Sequence, residues 1–137
     1  MFAQGGPGVS PDPAVLAEQA RRFFRDLLPA PLGSPGSPGS LEPRAIAVRP
    51  ATEEVWTAAE RAEERTGAAA SGLSRLARRC ATVMRVACAS EDDRGALLLA
   101  AVIASVHLGP ILDPARERIF GVRTARATLE RSSRKDR

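Results

Sequence analysis

The feature that most restricts the fold is a run of seventeen residues, 96–112, reading ALLLAAVIASVHLGPIL without a formal charge. A run of that length and composition has to be shielded from water, in a bilayer or at the centre of a packed core. Gly109 and Pro110 divide it, leaving thirteen unbroken residues at 96–108. At 1.5 Å per residue this is roughly 20 Å of helix, and a bilayer span needs about twenty apolar residues. The run therefore predicts a core helix over 90–109, apolar on every face, with membrane association through 96–112 as a minor alternative. Ser90 with Asp93 reads as a capping box at its start, and Gly109-Pro110 reads as its stop.

The rest of the core must be assembled around that helix from aliphatic residues. The chain has 137 residues, one Trp, four Phe and no Tyr, and 44% of it is hydrophobic. This length suits one domain, and a core of Ala, Leu, Val and Ile favours helices. Asp12-Pro13 reads as an N-cap and first-turn pair. After it, Leu16, Ala20, Phe23, Phe24 and Leu27 fall on one face of a helix over 12–28. Residues 29–44 hold two Ser-Pro-Gly triplets and predict a flexible linker, and 1–11 a disordered end. The segment 45–48 alternates weakly, but no partner strand is evident. Thr52 caps a helix over 52–66. Leu73, Leu76, Cys80, Val83 and Ala87 follow in steps of three and four, predicting a helix over 73–89. Asp113-Pro114 repeats the earlier start signal and opens a last helix over 114–130, with a basic tail at 132–137. The sum is an all-α fold, a small four- or five-helix bundle with its core in 45–131 and a flexible Gly/Ser/Pro-rich loop after the first helix.

Charge and chemistry-bearing residues narrow the function classes. The net charge is +4 and the basic residues are nineteen Arg and one Lys. Residues 94–137 hold nine basic and four acidic side chains, so the excess sits in the last third. No phosphate-binding glycine loop of the GxxxxGK or GxGxxG type occurs. With one His and two Cys, the usual zinc and haem signatures are absent. On a helix, Cys80 and Cys88 would stand about 12 Å apart, too far to bridge. They read as small core thiols in a reducing compartment. Cys88 and His107 could form a nucleophile and base across neighbouring helices, but no third group orients them. The adjacent carboxylates Glu53/Glu54, Glu63/Glu64 and Asp92/Asp93 read as caps and solvated faces. No catalytic residue, cofactor, metal or small-molecule substrate is indicated. The chain's first residues lack a basic, then apolar leader, so the expected location is cytoplasmic.

The expectation is a non-enzymatic protein-interaction or regulatory module. Its proposed interaction face is Leu16, Phe23, Phe24 and Leu27, which would dock on a protein partner, join a second copy or fold back on the bundle. Folding back is the favoured outcome. The alternative is a nucleic-acid-binding regulator acting through Arg116, Arg118, Arg123, Arg126, Arg131 and Arg134 on the last helix, in an outline like a helix-turn-helix.

Overall fold

A computed structural model of the chain describes residues 1–4, 10–27, 45–90 and 92–135. The 29–44 linker expectation falls outside them. Among the described residues the fold is mixed α and β rather than an all-α helical bundle. Helices α1 (Pro13–Phe23), α2 (Glu53–Thr66), α3 (Leu73–Arg78), α4 (Arg94–His107) and α5 (Val122–Lys135) share the chain with strands β1 (Phe2–Ala3), β2 (Ile46–Pro50), β3 (Thr82–Val86), β4 (Ile111–Asp113) and β5 (Arg118–Phe120). The strands form a three-stranded sheet in the order β1-β3-β2 and a β4-β5 hairpin, antiparallel throughout.

The central helix is α4, as the uncharged run requires, and residues 98–104 are all buried. Its cap is Asp93 rather than Ser90: the carboxylate accepts from Ala96 N at 3.1 Å and from Ala89 N at 2.8 Å. Leu108 ends the helix in the left-handed region, with φ 56°. No helix among the described residues is long and apolar enough to cross a membrane.

Two sequence-predicted helices are corrected. The helix expected over 73–89 is the six-residue α3 followed by β3. Three of the five β3 residues, Thr82, Val83 and Val86, are β-branched and suit a pleated, half-buried surface, so the steps of three and four were met by two different elements. β3 also supplies the partner that 45–48 lacked, through the pairs Ile46↔Val86, Val48↔Met84 and Pro50↔Thr82. The helix expected over 114–130 is the β4-β5 hairpin followed by α5. Asp113 does bind the backbone N–H three residues on, that of Arg116, at 3.3 Å, which is the bond a helix cap makes. Glu117 then turns to φ 47°, and the chain closes a hairpin instead of propagating a helix. Phe2 and Ala3, within the stretch expected to be disordered, form a fully buried strand.

The three-stranded sheet separates two apolar clusters. On one face Ala3, Met84, Ile46, Val48 and Val86 pack with α4, the α1 face and Leu129 of α5. On the other, Phe2 and Val83 pack with Ala59 and Ala62 of α2, Ala77 of α3, Cys80 and Ile119 of β5. Trp56 Nε1 donates to Ala77 O at 3.0 Å, and Arg78 lies over the Trp56 ring and bonds Glu60 at 2.5 Å, fastening α3 to α2. Glu63 accepts from the Ser74 hydroxyl at 2.8 Å, which holds its carboxyl below the usual range.

Candidate interaction cleft

The second sheet face is covered at the β1 end and bare toward β2. Antiparallel pairing sets Arg49 beside Val83 and Ala47 beside Arg85, and side chains directly opposite one another share a face. This face therefore runs from the buried Phe2 and Val83 to the exposed Arg49 and Arg85. The space beyond is a cleft of about 1300 Å³ between the sheet, the first turns of α2 and α4, the β4-β5 hairpin and one side of α5. Apolar lining comes from Val55 and Leu112 on this side and, where the cleft reaches past the sheet toward α4, from Val86, Leu97 and Phe120, and cations come from Arg49, Arg85, Arg94, Arg116, Arg118 and Lys135.

The acidic side chains of the cleft are mostly held within the chain. Asp92 bonds Arg116 at 2.5 Å, Asp113 lies 4.0 Å from Arg118 and accepts from Arg116 N, and Asp93 caps α4. Glu54 stands in the first turn of α2, where the helix dipole favours a negative charge. The cations are less committed. Arg85 and Lys135 have no ion-pair partner among the described residues, Arg49 donates only to the carbonyl of Val48 at 3.2 Å, and Arg94 donates to Leu27 O at 3.4 Å. The charge left over in the cleft is therefore positive, above a mainly apolar surface.

The interaction face read from the sequence lies elsewhere. Leu16, Phe24 and Leu27 are buried in the cluster around α4, and Phe23 is 52% exposed, with Arg22 over its ring. Helix α1 thus folds back on the chain with its apolar face covered, and only Phe23 of the four faces solvent.

The six arginines do not share one helix. Arg116 sits in the hairpin turn and Arg118 on β5, over the Phe120 ring, so the helix-turn-helix outline does not hold. Arg126 is committed to structure: its guanidinium grips both oxygens of Asp26 at 2.8 and 2.9 Å, bonds Glu130 at 3.1 Å and the carbonyl of Phe23, and lies over the Phe24 ring. Arg123, Arg131 and Arg134 are exposed on α5, with no carboxylate partner among the described residues.

The Cys88–His107 pairing is absent. Cys88 is exposed just beyond β3, close in sequence to the start of α4, while His107 ends that helix about 20 Å away along its axis. Cys80 alone is a core thiol, and burial pushes its ionisation up. Burial lowers the pKa of His107, whose Nε2 has no hydrogen-bond partner among the described residues.

Sequence reasoning missed Arg49 and Arg85. The available signal was the β-branched stretch 82–86, which would have paired with 45–48 and put the two arginines on one face. No family model, curated protein or solved structure matches the chain.

Proposed function

We propose that the chain is a protein-interaction module whose cleft receives an acidic, partly apolar segment of another protein. One observation carries this reading: the cleft's carboxylates are largely held by the chain's own groups, while Arg49, Arg85 and Lys135 are held by no carboxylate among the described residues. Such a surface attracts negative charge, and its apolar walls reward side chains that a phosphate backbone lacks. The chemistry we read here is binding: Cys88 is the one thiol on the cleft, and no histidine lies among the lining residues to activate it.

A second reading, nucleic-acid binding, draws support from Arg123, Arg131 and Arg134 on α5, which have no carboxylate partner among the described residues. Fluorescence anisotropy separates the two. The probes are a labelled eight-residue peptide of alternating Val and Glu, an oligoglutamate and a single-stranded oligonucleotide of matched charge, each at low and high salt. The peptide should bind about tenfold tighter than oligoglutamate, the gain expected from burying two or so methylenes. Arg85→Glu should weaken it. An oligonucleotide that binds tightest, with an affinity collapsing as salt rises, would transfer the function to the arginine arc of α5.

A further inference from the structure

The geometry points to strand addition at β2: an acidic partner segment pairs antiparallel with Ile46–Pro50 as a fourth strand, reading apolar toward one face and acidic toward the other. This rests on the acidic half of the cleft reading above: the segment's carboxylates face the cleft cations, while its apolar row lies on the opposite face of the sheet, beside Ile46, Val48 and Val86.

The open edge follows from the ladder. Ala87 N donates to Ala45 O at 3.0 Å and Ala51 N donates to Ala81 O at 2.8 Å. Hydrogen bonding alternates along an antiparallel strand, so Ala45, Ala47, Arg49 and Ala51 turn their backbone groups to β3. Ile46, Val48 and Pro50 turn theirs outward. Among the described residues nothing bonds Ile46 N–H, Ile46 C=O or Val48 N–H. The Val48 carbonyl is held by the Arg49 guanidinium, and Pro50 has no donor.

Those two features guard the edge selectively. A second copy of the chain would bring its own Arg49 and Arg85 against this pair, so like charges oppose self-pairing. An acidic strand gives the Arg49 guanidinium a carboxylate in place of the carbonyl, releasing Val48 C=O to the new ladder. Arg85 lies one strand further in, beside Ala47, whose methyl group leaves the path to the edge clear. Across the other face, Ile46, Val48 and Val86 form a half-buried apolar row.

These rows fix the phase of the partner. In an antiparallel pair, residues that exchange bonds with Ile46 and Val48 share their face, so they are the apolar ones. The acidic residues stand opposite Ala47 and Arg49, and their own N–H groups point to solvent. The backbone supplies affinity and the alternating side chains supply specificity.

The test leaves the protein untouched and alters the peptide. Two N-methylated versions of the alternating Val/Glu octapeptide are compared with the parent by anisotropy, one methylated at the central Val amides and one at the central Glu amides. Methylation at Val should weaken binding about tenfold or more, while methylation at Glu changes it less than about twofold. Equal losses, or loss at Glu alone, overturn antiparallel strand addition even if the parent peptide binds, and the cleft reading then stands without it. A parent peptide that does not bind overturns both. Light scattering on the free chain adds one more outcome: a dimer that the peptide cannot dissociate would mean that the edge belongs to a second copy, which also overturns the proposal.

Discussion

Along β1, the outer edge of the three-stranded sheet is closed by the chain itself: Phe2 N–H donates to Pro110 O at 3.0 Å and Gln4 N–H to His107 O at 2.9 Å. Along β2, the opposite edge, Ile46 and Val48 present backbone groups that no described residue takes, and only an arginine side chain and a proline stand guard. Both edges belong to one small sheet, yet the first is core and the second is surface. The difference lies in the neighbours. At β1 the chain passes through Gly109, where a Cβ would come within 1.8 Å of the Phe2 carbonyl oxygen, so only glycine allows two backbones to meet so closely. Among the described residues no such approach is made at β2. An edge that has been sealed serves stability, and one left open with a charge beside it is available for recognition.

The contrast can be broken experimentally. The largest effect is expected at β1: Phe2 is fully buried, and Phe2→Ala should lower unfolding free energy by about 3–5 kcal/mol in urea titrations. A loss near 1 kcal/mol would mean that this edge is no more closed than its counterpart. Next comes Gly109→Ala, which forces the two backbones apart and should cost about 2–3 kcal/mol, read as a fall in melting temperature. A variant as stable as the parent would show that the approach is relaxed in solution.

A pH titration sharpens the same edge. The Met1 amine bonds Met84 O at 2.8 Å, and burial, with Arg85 nearby, lowers its pKa from 8.0 to about 6. Above pH 8 it is neutral in both folded and unfolded chains. As pH falls from 8 to 6 the unfolded chain binds a proton that the folded one resists, so stability should drop by about 2 kcal/mol and then level off. His107 adds a loss of the same sign below 6.5, because burial lowers its pKa as well. Acetylating Met1 should remove the drop between 8 and 6, and a persistent drop would assign it to another group. The smallest stability change is expected at β2, where Arg49→Gln should stay within about 0.5 kcal/mol by denaturation while weakening the acidic peptide about two- to fivefold. A destabilised variant would make Arg49 a fold residue and erase the contrast.

Legibility in the sequence tracked how local each signal was. The uncharged run identified α4, Asp12-Pro13 and Thr52 marked the starts of α1 and α2, and the spacing of Leu16, Phe24 and Leu27 marked a face that is indeed buried. Each of those signals sits within one element or, for Leu16, Phe24 and Leu27, within α1 and the turn of 3-10 helix that directly follows it. The strands are only two to five residues long, too short for alternation to outweigh a chance helical spacing, and their pairing links positions as distant as Phe2 and Val83. The same reason hid the cleft, because Arg49 and Arg85 become neighbours only through the ladder. Asp113 shows the converse failure: Asp113-Pro114 reads as a helix start and Asp113 does bond Arg116 N, but whether a helix or a turn follows is decided further on, at Glu117.

The seal on β1 also sets an order of events. Its bonds join residues 1–4 to 84 and to 107–110, so a segment synthesised well before its partners is among the last that can be placed. Contacts of such wide separation must await closure of long loops, which slows folding relative to a chain of purely local helices. During translation β3 emerges before Pro110, and until that residue arrives both flanks of the sheet are incomplete. The β2 edge is then one of two open edges, and the arginine and proline beside it oppose pairing of the nascent sheet with another chain.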